Sequence, residues 1–197
     1  MGTIFLARHG RTTLNADGRL RGRLDPPLDE VGEREVVALA KAMAQQRVVQ
    51  VLAIPLTRAM QTARAIADAC SLPVTPLSGL LDRDYGQWAG DREEEVVARF
   101  GGLDAAPGVE AVADVVARAR AVLEDQRSVL TRGDVVLVAH DAVNRALLHD
   151  LDPRIPPQQP QQTACWNEIR PDGQGWQVIA VDQTPSRNAA VDPSANG

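Results

Sequence analysis

The chain has 197 residues, 44% of them hydrophobic, and a formal net charge of -5; this length and apolar content support one hydrophobic core and a single domain. The acidic balance argues against a nucleic-acid-binding surface, and no apolar run approaches the ~18 residues that a membrane-spanning helix requires. The opening Met1-Gly2-Thr3 lacks the basic-then-apolar pattern of a secretory signal, and Leu6 stands where a myristoylation motif needs Ser or Thr, so cytoplasmic residence is the expectation.

Strand and helix signals alternate, which predicts a βα-type fold with a largely parallel sheet. Aromatic residues make up 3% of the chain, so the core must come from Val, Leu, Ile and Ala. Ile4 to Ala7 reads as the first strand. Pro26-Pro27 marks a loop, and Asp29 reads as the N-cap of a helix running to about Gln46. Val48 to Ile54, closed by Pro55, reads as a second strand and is followed by a helix from about Thr57 to Ala69. Leu72 to Pro76 reads as a short third strand. Val112, Val115, Val116, Ala119, Val122 and Leu123 recur at helical spacing within a long helix predicted over Val112 to Leu130. Asp134 to Ala139 is nearly all apolar, the pattern of a buried central strand, and a helix follows from about Ala142 to Leu151. Pro153 to Gln162 is rich in Pro and Gln and reads as a loop. Thr163 to Arg170 and Trp176 to Val181 flank Pro171-Asp172-Gly173, which predicts a terminal hairpin. Residues 1–183 are expected to form one domain and 184–197 a disordered polar tail. Cys70 and Cys165 lie far apart in apolar company and are expected as buried free thiols.

Four segments carry chemistry. The first strand delivers Arg8-His9-Gly10 at its carboxyl end, the edge at which open α/β sheets bind ligands. A histidine there sits beside a fixed positive charge. Arg8, Arg11, Arg19, Arg21 and Arg23 fall in the first 23 residues, and this local basicity suits capture of a small anion. The chain has a single lysine, Lys41, so a general preference for arginine accounts for part of the cluster. The second segment, Pro55 to Ala63, places Arg58 in the first turn of a helix. Its planar fork can bind two phosphate oxygens together, and the helix N-terminus adds a favourable field. In the third, Val135 to His140, a buried strand again ends in a histidine. The remaining histidine, His149, lies late in a helix and reads as a bystander. The fourth, Leu81 to Gly90, contributes Asp82 and Asp84. Phosphoryl transfer needs a nucleophile, cations for the charged oxygens and an acid for the leaving group, and these segments offer candidates for each.

Taken together the segments resemble the histidine phosphatase (phosphoglycerate mutase-like) superfamily. Pro55-Leu56-Thr57-Arg58-Ala59-Met60-Gln61-Thr62-Ala63 is similar, nearly letter for letter, to that family's Pro-Leu-x-Arg-Ala-x-Gln-Thr-Ala. The resemblance spans about residues 3 to 182. With the element order it implies an α/β fold: a three-layer α/β/α sandwich, mostly parallel, with a C-terminal antiparallel hairpin. It implies that His9 attacks phosphorus and becomes phosphohistidine. Arg8, Asn15 and Arg58 would bind the phosphoryl group, Arg21 and Gly22 match the family's loop after the nucleophile, and His140 would donate to the phosphoryl oxygens. Asp82 stands where the family has a glutamate acting as general acid and base, one methylene shorter. Asp141, directly after His140, resembles the proton donor of the phytase and acid phosphatase branch. Asp82 ranks first as the acid, Asp141 second and Asp84 third, and each of the three can also be read as a solvated loop or capping carboxylate. Arg11 replaces the family's usual glutamate or glutamine and is expected to place a further cation near the pocket mouth, favouring substrates with a second anionic group.

The implied activity is a metal-independent phosphatase of small phosphorylated metabolites, without a cofactor and without nucleic-acid or membrane partners. The sequence does not fix an oligomeric state. A mutase that returns the phosphoryl group to its substrate is one alternative, and the short stretch between Gly90 and Glu110, which leaves little chain to cover the pocket, favours hydrolysis over it. A non-catalytic phosphate-binding protein is another, kept open by the exchange of glutamate for Asp82.

Overall fold

The computed structural model describes residues 1–173 and 175–185. Its centre is a six-stranded sheet of β1 (Ile4–Arg8), β2 (Val48–Ala53), β3 (Val74–Pro76), β4 (Asp134–Ala139), β5 (Trp166–Asp172) and β6 (Gly175–Gln183), in the order β3-β2-β4-β1-β5-β6. The first four strands of that order run parallel, and β5 and β6 are antiparallel. β1 and β4 are the apolar pair at the middle, buried because helices cover both faces.

The helices are α1 (Thr13–Ala16), α2 (Glu30–Met43), α3 (Thr57–Cys70), α4 (Glu93–Phe100), α5 (Val112–Gln126) and α6 (Asp141–Leu151). The connections β1-α2-β2 and β2-α3-β3 step the same way across the sheet, so right-handed crossovers place α2 and α3 on one face, where they pack together. The connection through α5 steps back, which puts α5 on the other face, packed against α6. The three-layer α/β/α arrangement follows. Its core is Val, Leu, Ile and Ala, with Phe5, Met43, Trp166 and Trp176 among the few larger side chains.

Several element ends differ from the sequence expectation. The helix expected to run to Leu130 stops at Gln126, and Val129–Thr131 forms a 3-10 turn. Leu130 continues the apolar pattern because it reaches the core, and its carbonyl accepts from the Gly2 N–H at 2.7 Å. Leu72 belongs to the closure of α3, where Ser71 adopts a left-handed conformation, so β3 starts only at Val74. The hairpin begins at Trp166 rather than Thr163 because Ala164 is left-handed as well (φ 52°). α1 and α4 lay in stretches where the sequence signals no helix. α4 opens on Glu93-Glu94-Glu95, which suits the positive end of a helix. It belongs to a cover over the carboxyl edge of the sheet with a small core of its own, Leu20, Tyr85, Val96 and Ala106. Cys165 is buried as expected, whereas Cys70 is half-buried, and both thiols are free. The tail expected over 184–197 lies outside the described residues from 186 on. Among the described residues no helix is long and apolar enough to cross a membrane.

Asp29 does cap α2, accepting from the Val31 and Gly32 N–H groups at 2.9 and 2.8 Å. This cap brings α2 against the turn after β1. A Cβ on Gly32 would lie 2.1 Å from the Arg11 carbonyl oxygen, and one on Gly10 would lie 2.8 Å from the Gly32 carbonyl oxygen. Backbone meets backbone there, so neither partner can yield by a rotamer change. Gly32→Ala is therefore expected to destabilise the protein despite alanine's better helix propensity. The penalty should reach the upper part of the ~1–3 kcal/mol range for overpacking, read as a fall in Tm of several degrees. An unchanged or higher Tm would show that the two segments are not in close contact.

Candidate active site

The register of β1 on β4 creates the site. Arg8 pairs with Ala139, so the next residue of each strand, His9 and His140, leaves the sheet at the same level. The His9 N–H donates to the Ala139 carbonyl at 3.2 Å. The imidazole centroids are 5.0 Å apart, the rings inclined at 61°, and both side chains are fully buried. His9 Nδ1 lies 2.7 Å from the Gly10 carbonyl. A carbonyl only accepts, so Nδ1 carries the proton and Nε2 keeps its lone pair. Burial, then the charges of the neighbouring histidine and of Arg58, Arg21 and Arg8, hold the His9 pKa well below the usual imidazole range. Burial and the same three arginines do so for His140.

Arg58 is fully buried at the start of α3. Its Nη1 donates to the Leu24 carbonyl at 2.6 Å and its Nη2 to the Gly22 carbonyl at 3.0 Å. Nη2 also approaches Asp82 Oδ2 at 3.3 Å and His140 Nδ1 at 3.5 Å. The terminal fork expected to bind two phosphate oxygens is thus largely engaged with protein, while Nε is buried and unpartnered. Gly22 is left-handed (φ 50°), and a Cβ there would crowd Tyr85 and the Arg83 carbonyl, so glycine lets this loop turn its carbonyl toward Arg58. Asp25 ties the same loop to α3, accepting from the Thr57 N–H at 2.6 Å and hydroxyl at 2.8 Å.

Arg8 and Arg21 complete the group. The Arg8 guanidinium donates through Nη1 to the Gln161 carbonyl. Among buried side-chain atoms with no hydrogen-bond partner are Arg8 Nε, Arg21 Nε, Arg58 Nε, His9 Nε2 and His140 Nε2. Asn15 is half-buried in α1 at the rim. Its Oδ1 accepts from the Thr12 N–H at 3.1 Å and hydroxyl at 2.8 Å, which fixes the side chain and leaves its NH2 group as the remaining donor.

The three carboxylates separate clearly. Asp82 is 1% exposed, with Oδ2 3.6 Å from His140 Nδ1 and Oδ1 accepting from the Arg83 N–H at 2.9 Å. Its loop is braced by Arg118, which donates to the Asp82 carbonyl at 3.4 Å and pairs with Glu110 at 2.9 Å. Asp141 opens α6 and pairs with Arg145 at 3.2 Å. Asp84 turns outward, accepting from the Gly86 N–H at 2.8 Å and pairing with the exposed Arg23 at 3.1 Å; it is a turn carboxylate. Arg11 is likewise diverted from the mouth, its Nε held by Asp29 at 2.8 Å. His149 lies apart, its Nδ1 2.7 Å from the Ile155 carbonyl.

Two features have no counterpart in the sequence reading. The loop before β5, seen in the sequence as a Pro/Gln-rich connection, supplies the carbonyl that holds Arg8. Asn144, one turn after His140, is fully buried with both amide atoms unpartnered. A groove of about 890 Å³ between α4, α5 and α6, lined by Val97, Leu103, Val116, Ala142 and Arg145 among others, runs beside the site. Neither His9 nor His140 lines it. Among the described residues no group of three or more His, Cys, Asp or Glu side chains could hold a metal ion. The positive charge here comes from arginine.

Comparison with known proteins identifies the family. Residues 4–184 match the family model of the histidine phosphatase superfamily (branch 1). Phosphoserine phosphatase 1 of Hydrogenobacter thermophilus is 31% identical over 154 residues, 73% of either chain. A probable phosphoglycerate mutase GpmB of Yersinia enterocolitica is 31% identical over 163 residues, 75% of this chain and 74% of that one. A mycobacterial glucosyl-3-phosphoglycerate phosphatase solved in complex with VO3 superposes with a TM-score of 0.83 at 24% identity, covering 93% of this chain and all of that one, which shows a shared fold. The chain belongs to the histidine phosphatase superfamily, branch 1, and is a phosphoric monoester hydrolase of the histidine phosphatase type.

Proposed function

We propose that His9 is the nucleophile, that Arg8, Arg21, Arg58, Asn15 and His140 hold the phosphoryl oxygens, and that Asp82 moves the proton. One observation carries this reading: five buried nitrogens on Arg8, Arg21, Arg58, His9 and His140 lack a partner and lie in one cluster. Buried polar atoms are normally satisfied, and a tetrahedral anion satisfies such donors together. His9 Nε2 is the exception among them, since its lone pair faces phosphorus. Attack forms the N–P bond as the P–O bond to the leaving group breaks. The Asp82 carboxyl gives its proton to the leaving alkoxide, and the resulting carboxylate takes a proton from the water that hydrolyses phosphohistidine. Arginines already in place stabilise the charge that develops on the phosphoryl oxygens.

The substrate is a small phosphorylated metabolite in the cytoplasm, and neither nucleic acid nor membrane is a partner. The relatives' names include phosphoserine phosphatase and glucosyl-3-phosphoglycerate phosphatase, which fits a small anionic ester. Diversion of Arg11 to Asp29 removes the reason to expect a second anionic group at that point of the mouth. Hydrolysis is favoured over phosphoryl return because the cover is only the segment around α4.

His9→Ala should reduce turnover by more than the ~10²–10⁴-fold that a positioned proton donor contributes, since His140, the other imidazole of the cluster, has its Nδ1 beside Arg58 and Asp82 and serves as a donor to the phosphoryl oxygens rather than as the nucleophile. Acid quenching during turnover should trap label on His9. Activity within a hundredfold of the parent, or label elsewhere, would overturn the assignment.

Asp82→Asn should depend on the leaving group. The loss should be near ~10²–10⁴-fold on an alkyl phosphate and small on an aryl phosphate, which departs without a proton. Asp141→Asn should show little such dependence. The opposite pattern in measured kcat would move the acid to Asp141.

The lowered histidine pKa values also predict a pH dependence of stability. In the unfolded chain His9 and His140 take up protons as pH falls through about 6.5. In the fold they stay neutral to lower pH, so the unfolded state gains protons first and stability falls with pH. Between pH 7.5 and 5.5 the loss should be about 1 kcal/mol for each histidine. Denaturant titration should show it, and His9→Gln with His140→Gln should flatten it. An equal slope in the double variant would exclude these groups as its source.

A further inference from the structure

Arg8 must direct a long, flexible side chain at the phosphoryl group from the end of β1. The structure holds it from the β5 side. Arg8 donates through Nη1 to the Gln161 carbonyl and through its backbone N–H to the Cys165 carbonyl at 2.9 Å, while the Ala164 N–H donates to the His9 carbonyl at 3.1 Å. Residues 161–165 thus grip the Arg8-His9 dipeptide opposite β4.

That grip is itself fixed by a closed pair of side-chain amides. Gln161 Nε2 donates to Asn167 Oδ1 at 3.2 Å, and Asn167 Nδ2 donates to Gln161 Oε1 at 2.7 Å. Asn167 also donates to the Leu6 carbonyl at 3.1 Å and accepts from the Asp182 N–H at 2.9 Å. Both donors and both acceptor positions of a fully buried amide are therefore used. The Asp182 carboxylate in turn accepts from the Gln162 N–H at 2.7 Å. Ala164 (φ 52°) and Asp182 (φ 49°) are both left-handed without being glycine. Strained backbone of this kind persists where its surroundings over-determine it, and it concentrates at functional sites.

We propose that the Gln161–Asn167 amide pair is a positioning device for Arg8. It fixes the Gln161 carbonyl, which orients the guanidinium so that its unpartnered Nε faces the phosphoryl oxygens. A neutral carbonyl suits this task. A carboxylate in its place would orient Arg8 equally well but would offset the charge that the phosphoryl group needs. The proposal rests on the reading of the site given above.

A double-mutant cycle tests it. Inhibition by inorganic phosphate and kcat/KM on an aryl phosphate are measured for Asn167→Ala and Gln161→Ala, each alone and combined with Arg8→Ala. Alone, each should weaken phosphate binding about tenfold, within the range for residues that share one network. In the Arg8→Ala background the further loss should be under about twofold, because the group being positioned is gone. Equal losses in both backgrounds would make the pair a structural element only and overturn the proposal, as would no loss in the parent. Gln161→Ala keeps the carbonyl and removes a side chain nearer the surface, so it carries the test if Asn167→Ala does not fold. If Arg8→Ala itself leaves phosphate inhibition unchanged, the reading of the site fails instead.

Discussion

Everything at the carboxyl edge of the sheet answers one constraint: two arginines are buried beside two imidazoles with too little carboxylate to match them. Arg58 is fully buried and Arg8 nearly so. Desolvating a cation is expensive unless it is paired and hydrogen-bonded. Asp82, when ionised, offsets part of the charge at 3.3 Å from Arg58. The remaining support comes mainly from backbone carbonyls: Gly22 and Leu24 for Arg58, Gln161 for Arg8. Carbonyls orient a guanidinium without cancelling its charge. Burial first, and then the net positive potential that results, lowers the histidine pKa values. On the proposed reading a phosphoryl group entering this cluster supplies the counter-charge that the fold withholds, and the dipoles that stabilise it need no rearrangement.

This arrangement also decides how the two histidines differ. His9 has its Nδ1 proton committed to the Gly10 carbonyl, one residue away, so its tautomer is set by local backbone. His140 meets Arg58 and Asp82 through Nδ1 at 3.5 and 3.6 Å. A donor and an acceptor face the same nitrogen, so the state of His140 follows the charge of its surroundings. A fixed tautomer suits a nucleophile, and an adjustable one suits a group that follows the charge of the phosphoryl oxygens.

Much of this was legible in the sequence, and the reason is the same for each legible part. Arg8-His9-Gly10, Pro55 to Ala63 and the run ending at His140 each join a strand end to a helix or turn within one short segment, so local spacing fixes where the side chains emerge. What spacing could not show was which partner each side chain would find. Arg11 and Asp84 lie beside site residues in the chain, yet Asp29 and Arg23 draw them away in space. The terminal fork of Arg58, which its place in the first turn of a helix offers to phosphate, is met instead by the carbonyls of Gly22 and Leu24. Gln161 and Asn167 gave no signal at all. Their importance comes from β5 lying beside β1, an antiparallel pairing between residues about 160 positions apart, and from an amide pair that no periodicity announces. The early end of the long helix has a similar origin, since Leu130 obeys the core rather than the helical repeat.

The cover over the site bears on the choice between hydrolysis and phosphoryl return. Its own core is four buried side chains, with Trp88, Phe100, Leu103 and Val109 packed around them. Trp88 meets Phe100 edge to face at 5.0 Å, and Arg99 lies against both rings. The Arg83, Glu110 and Arg118 cluster beneath Asp82 is one of the links that join the cover to the sheet domain. A unit with so little buried apolar surface opens more readily than the sheet it covers. Phosphoryl return requires the dephosphorylated product to stay, or a second substrate to bind, before water reaches phosphohistidine. Hydrolysis requires the product to leave and water to enter. A small cover favours the second sequence, while His9 and His140 are set by the β1–β4 register and not by the cover.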